Sequence, residues 1–256
     1  MMPPVAAESG AEDEPGFWRR IALYPSPTVL AAGIEDDAHR FLIHLSLQDG
    51  VVTDVEVKGE RIPYTTCADT GRFFKESLVG LPLQDVANLD GHSHCTHIFD
   101  LAVLCARHAR DEASTRFDLR VTDPENGQKR ATLYENGKRM LRWEVKDTFI
   151  LGPGVFNGKD LRKFSIWKNM LSPIELEYAS MLRRAVMVSG GRSIPIDDTT
   201  RPAERGPGRM GACFTYQMPR VLLAERVAAE WRKDFSHSHG PLQEFTFETL
   251  HPGSES

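Results

Sequence analysis

Two cysteines, a histidine and an aspartate hold the most reactive chemistry in this chain. Cys67 and Cys95 each stand just before a predicted helix, and Cys95 opens the run Cys95-Thr96-His97-Ile98-Phe99-Asp100. The amide end of a helix carries about half a positive charge, which favours a thiolate over a thiol. A cysteine so placed serves as a nucleophile if His97 acts as its base. The same residues, Cys67, Cys95 and His97, with His92 and His94 just upstream, could instead ligate zinc or iron. Against a metal, the chain has no Cys-x-x-Cys and no His-Glu-x-x-His. The third reading is structural: small buried thiols packing helix starts, with His97 bonded to a backbone carbonyl. Asp100 falls three residues after His97 on one helical face. There it would hold the imidazole's tautomer, act as an acid or base, or complement the helix dipole.

Other residues are placed to bind rather than react. Tyr64 and Tyr216 lie in predicted loops near cysteines, where a phenol suits a phenolic or carboxylate group; packing is the plainer role for lone aromatics. Arg61 and Arg184 are candidates for a carboxylate, because a guanidinium pairs with one bidentately. Arg183, Arg192, Arg201, Arg205 and Arg209 extend that positive stretch, though a solvated surface explains it as well. Cys105 sits on the apolar face of its helix and reads as core. Cys213 could reach the Cys67–Cys95 pocket. Gly206-Pro-Gly208-Arg-Met-Gly211 matches a dinucleotide fingerprint only literally, since it follows a polar loop and not a strand. No Walker-type loop occurs, so neither a nucleotide nor a redox cofactor is expected; zinc or iron is the one cofactor left open.

The elements that must position these residues are strands and helices in separate stretches. Strands are predicted at 19–24, 40–47, 51–57, 117–121, 130–134 and 139–145. Asp49-Gly50 and Asn136-Gly137 join two pairs of them as tight hairpins, because both dipeptides accept the positive φ of such turns. Helices are predicted from residue 68 or 69 to Gly80, from about Thr96 (as N-cap) to Ala109, from Pro173 to Val188, and from Arg220 to Asp234, with a short helical element over 82–89. Ser172-Pro173-Ile174-Glu175 supplies a capping box and a first-turn proline. This order predicts an α+β fold with a mainly antiparallel sheet, hairpins packed against helices and a helical C-terminal layer. We expect a disordered leader over 1–16, one domain over 17–236 with 153–236 as its helical layer or cap, and a flexible tail over 237–256 in which Leu242 to Leu250 could dock as a strand. No internal repeat is visible.

Composition narrows the partners. With 41% hydrophobic residues in 256, the chain can bury a sizeable core. Its net charge of -5 and scattered basic residues argue against a nucleic-acid partner, which needs a basic stripe to displace counterions. No apolar run reaches the roughly 18 residues of a membrane span. The start has neither a basic region nor an apolar signal core, so a reducing cytoplasm and free thiols are expected. The apolar side of the last predicted helix, Val221, Leu222, Ala224 and Val227, would suit a homodimer interface or a core.

Between Arg19 and Arg110 the motifs Asp49-Gly50-Val51-Val52-x-Asp54, Pro63-Tyr64-Thr65-Thr66-Cys67, Val79-Gly80-Leu81 and Cys95-Thr96-His97-Ile98-Phe99-Asp100-Leu101 follow in order. In these the chain resembles the bacterial domain of unknown function 2889 family over a third to a half of its length. The order hairpin, cysteine, helix, Leu-Gly, cysteine is also loosely similar to iron–sulfur scaffold domains, but the scaffold's third cysteine has no counterpart at a matching place. Proteins similar to this one occur among bacterial enzymes of aromatic and lignin-fragment breakdown. That resemblance, with the clustered ionisable groups, implies a small-molecule substrate that is aromatic and carboxylated. The expected enzyme is a carbon–carbon lyase working in retro-aldol fashion with release of formaldehyde. His97 is the expected base, Asp100 its orienting partner, and Tyr64, Tyr216, Arg61 or Arg184 the binding groups. The alternatives are a metal-binding or iron–sulfur-handling protein using Cys67, Cys95 and His97, and a ligand-binding module without turnover.

Overall fold

The computed structural model describes residues 14–192, 201–205, 209–227, 232–236 and 240–243. The fold is α+β. Eight strands form one antiparallel sheet: β1 (Gly16–Tyr24), β2 (Val29–Glu35), β3 (Arg40–Gln48), β4 (Val51–Arg61), β5 (Thr115–Thr122), β6 (Gln128–Glu135), β7 (Lys138–Lys146) and β8 (Phe149–Leu151). Their spatial order is β4-β3-β2-β1-β5-β6-β7-β8. Two four-stranded meanders therefore lie side by side, joined where β1 pairs with β5. Each meander is followed by a long helix, α2 (Thr96–His108) in the first half and α4 (Pro173–Ser189) in the second. A repeat in topology is thus present where the sequence shows none. The shorter helices are α1 (Thr70–Leu78), α3 (Phe164–Trp167) and α5 (Arg220–Leu223).

The expected hairpins form as their dipeptides dictate. Asp49 and Gly50 have φ of 52° and 77°, and Asn136 and Gly137 have 49° and 82°. Positive φ at both central residues gives a turn whose twist matches that of the flanking strands. The pleat of β1, β2, β3 and β5 sends Ile21, Leu23, Ile34, Phe41, Ile43, Phe117 and Leu119 to one face, where they pack with Ile98, Leu101 and Cys105 of α2 and Leu182 and Ala185 of α4. The capping box of α4 is present, with both Ser172–Glu175 bonds made.

Four expectations need correction. The strand β2 was not foreseen, because Val29–Glu35 is buried on nearly every residue and so does not alternate. The last helix ends at Leu223, eleven residues short of Asp234. Glu225, Arg226 and Val227 instead pair as extended chain with Pro63, Tyr64 and Thr65, and this tertiary pairing overrides helical propensity. Within α5 Val221 is buried, while Leu222 and Leu223 are exposed. The N-cap of α2 is Cys95 and not Thr96. Glu14 and Gly16, placed in the leader by sequence, are respectively paired with Arg130 and part of β1. Most of the predicted tail and Gly206–Gly208 lie outside the described residues. Among those that are described, no helix is long and apolar enough to cross a membrane.

Candidate functional site

One end of the sheet collects the ionisable side chains. The start of β1, the turn between β2 and β3, the ends of β4 and β5, the N-terminus of α2 and the C-terminal end of α4 all meet there. Asp36 and His39 belong to the turn, Arg19 projects from the inner face of β1, and His97 lies in the first turn of α2.

Asp36 is fully buried and every donor around it is used. Its Oδ1 accepts the backbone amides of Ala38 and His39, both at 3.0 Å, and faces His39 Nδ1 at 2.9 Å. Its Oδ2 accepts Arg19 Nε at 3.0 Å and a second bond from Arg19 Nη2. Burial alone would raise this carboxyl, but the charges of His39 and Arg19 and the hydrogen bond of His39 hold it well below the usual carboxylate range. Asp36 is an anion in every state relevant to function.

The two histidines have different fates. His97 Nε2 lies 2.9 Å from Arg19 Nη2. A guanidinium only donates, so Nε2 accepts and His97 is neutral. Burial, then the charges of His39 and Arg19, push its pKa well down. His39 stacks on His97 with ring centroids 3.9 Å apart and keeps a side-chain exposure of 17%. Because His39 Nδ1 donates to Asp36, its Nε2 carries the lone pair when the ring is neutral. Among the described residues that nitrogen has no hydrogen-bond partner. A carboxylate that orients an imidazole and leaves its far nitrogen open is the arrangement of a general base.

Asp36, His39 and His97 also offer ligand atoms within 4.8 Å of one another, the donor set of a two-histidine, one-carboxylate metal site. The residues present do not fit an ion there. Arg19, only 2% exposed, already sits on the Asp36 and His97 lone pairs. A divalent cation would leave that guanidinium buried and unpaired beside a second positive charge.

Asp37, next in the turn, is buried and meets Arg192 through Oδ2, while its Oδ1 has no partner among the described residues. Burial raises its pKa to about 6 against the pull of Arg192. Arg192 also holds Asp123 and Asp234.

The cysteines form a second neighbourhood at the same end. Cys67 Sγ lies 3.2 Å from Thr215 Oγ1, and Thr66 reaches the same hydroxyl at 3.1 Å. The amide of Phe214 bonds the carbonyl of His94 at 3.1 Å, which sets Cys213 beside Cys95. Cys213 packs against the cluster of Tyr64, Cys67 and Tyr216. So Cys213 does reach the neighbourhood of Cys67 and Cys95. The expected thiolates are not favoured. Burial pushes Cys67 up to about 11 and raises Cys95 and Cys213 as well; desolvation outweighs the half-charge of a helix end. All four cysteines are free thiols.

The binding candidates are drawn together in part. Tyr64 and Tyr216 share a hydroxyl–hydroxyl bond of 3.0 Å, and Arg226 donates to Tyr64 Oη at 3.0 Å with its guanidinium 4.3 Å from the ring centroid. Asp100 meets Arg184, whose Nε donates at 2.9 Å, so Asp36 and not Asp100 stands beside His97. Arg61 is 7% exposed and spans Glu35 and the carbonyl of Asp36; it clamps the turn. Arg183 and Arg201 are likewise bonded, to the Leu161 carbonyl and to Glu225. His94 packs against the Phe74 and Phe99 rings.

Sequence reasoning missed Arg19, Asp36, His39 and Arg226. The one available signal was Asp36-Asp37-Ala38-His39 itself, an acid and a histidine at turn spacing, which becomes visible only once β2 is known to precede it. No family model matches the chain, and no curated protein matches it.

Proposed function

We propose that this protein is an acid–base lyase that cleaves a carbon–carbon bond in a small hydroxylated aromatic compound, with His39 as the base. The observation that carries the reading is the Asp36–His39 pair: an ionised, fully bonded carboxylate 2.9 Å from one imidazole nitrogen, with the other nitrogen open among the described residues. In the proposed step His39 Nε2 takes the proton of a hydroxymethyl group. The adjacent carbon–carbon bond breaks, formaldehyde leaves, and the electron pair stays on a carbon next to an electron-withdrawing group. The imidazolium then returns the same proton to that carbon, so the reaction consumes and yields no electrons. Asp36 stabilises the imidazolium in between.

The test is a screen of hydroxymethyl-bearing phenolic and carboxylated aromatics for formaldehyde release by the purified protein. Release from at least one compound, lost in His39→Ala, supports the reading; no release from any of them counts against it.

A second reading rests on the shared neighbourhood of Cys67, Cys95 and Cys213, three thiols from three separate segments, although their sulfurs are not drawn together as a ready ligand set among the described residues. It is a metal-binding or iron–sulfur-handling protein, with Cys213 in the place first given to His97. Stoichiometric metal in the purified protein, lost in Cys67→Ala, Cys95→Ala and Cys213→Ala, would favour it.

A further inference from the structure

A cavity of about 410 Å³ opens on the face of the sheet opposite the histidines, over β1, β5 and the turn between β6 and β7. That size falls in the range of small-molecule sites, about 300–1,000 Å³. Its walls are rich in donors. Arg20 and Arg116 both line it, and both lean on the single carboxylate of Asp118, through Nε at 2.7 and 3.1 Å. Two guanidiniums thus share one acid. The terminal nitrogens of Arg116 have no partner among the described residues, and its side chain is 52% exposed. Asn136 spends its carbonyl oxygen on the amide of Arg116 at 2.9 Å, which leaves its amide nitrogen to donate. The Ser114 hydroxyl is unengaged among the described residues. No aspartate or glutamate is among the described residues that line the space. Ala22, Tyr24 and Leu242 supply an apolar side.

We propose that this cavity binds a small organic carboxylate. The carboxylate takes the free fork of Arg116, backed by Asn136 and Ser114, and the apolar body lies against Ala22, Tyr24 and Leu242. A net positive, donor-lined wall favours an anion, and a guanidinium with both terminal nitrogens free matches a carboxylate bidentately. A single apolar side favours a ring or short chain over an inorganic ion. The site lies across the sheet from His39, so it is a binding site and not a place of reaction, and it stands whether or not the lyase reading does.

Benzoate is the probe, with benzamide as its neutral counterpart, and binding is read by protein chemical shifts during titration. We expect saturable benzoate binding, at most weak benzamide binding, and loss of affinity by about tenfold or more in Arg116→Leu. Arg116→Lys keeps the charge without the fork and should fall between. The shifts that move are expected at Arg116, Asn136 and Ser114, which separates this site from any benzoate held near His39. The side chain of Arg116 is half exposed, so these variants keep the fold, and unchanged shifts away from the cavity check this. Equal binding of benzoate and benzamide, wild-type affinity in Arg116→Leu, or shifts confined to the surroundings of His39 would each overturn the proposal.

Discussion

Asp36 Oδ1 lies 2.9 Å from His39 Nδ1 within one hairpin turn, and the same oxygen accepts the two backbone amides that close that turn. The turn therefore fixes the imidazole as it folds. A side chain on a surface loop is ordinarily free to rotate. Here the carboxylate on one side and the His97 ring on the other leave His39 a single orientation.

Arg19 neutralises this centre, and its removal should be costly. In Arg19→Met the Asp36 carboxylate stays buried without its cation, a situation that costs about 3–5 kcal/mol. Urea unfolding of the variant checks this. The double variant Arg19→Met/Asp36→Asn should regain much of the loss, since the buried charge is then gone as well. A single variant within about 0.5 kcal/mol of the wild type would contradict the account.

Asp37 predicts a pH effect on stability. Its folded-state pKa of about 6 lies above the ordinary 3.8. Protonation therefore favours the folded form: this stabilisation is complete below about pH 3.8 and is lost as pH rises through about 6. The shift corresponds to a ceiling of about 3 kcal/mol. Asp37→Asn keeps an oxygen for Arg192 and carries no charge. It should be more stable than the wild type at about pH 8 and nearly equal to it at about pH 3. An equal difference at both pH values would show that the carboxyl titrates normally.

The thiols should be slow. With Cys67 pushed up to about 11 and Cys95 and Cys213 raised by burial, little thiolate exists near about pH 8. Alkylation by iodoacetamide should stay far below the rate of a free thiol until denaturant is added, and then reach all four cysteines. Rapid labelling of native Cys67 or Cys95 would reinstate the nucleophile reading.

His97 is expected to support rather than react. Its Nε2 already accepts from Arg19, so His97→Gln, which offers Arg19 an amide oxygen, should keep most of the activity. The companion measurement is thermal stability, which should fall because the stack with His39 is lost. An activity loss as large as that of His39→Ala would move the base to His97.

The sequence discloses what neighbours in the chain decide. Asp49-Gly50, Asn136-Gly137 and the Ser172–Glu175 box each form as read, because a two-residue turn or a helix cap is set by its own residues. Cys213 could be named as a candidate neighbour of Cys67 and Cys95, but no residue of its own segment disclosed the contact, which the Phe214–His94 backbone bond makes. The Asp36–His39–His97–Arg19 centre was not open to view. It joins a strand, a turn and a helix that are distant in sequence, and the strand leading into it is buried on both faces. Arg226 was hidden for a related reason: a run that reads as helix is pulled out straight by pairing with 63–65. Asp100, at ideal helical spacing from His97, turned to Arg184 because α4 packs alongside.

The most direct test of the account is single-turnover formaldehyde release from the compound the wild type cleaves fastest, measured in parallel for His39→Ala, Asp36→Asn and His97→Gln. The account predicts a fall of about 100- to 10,000-fold for His39→Ala, a clear but smaller fall for Asp36→Asn, and near wild-type rates for His97→Gln. Undiminished release by a folded His39→Ala protein would contradict it.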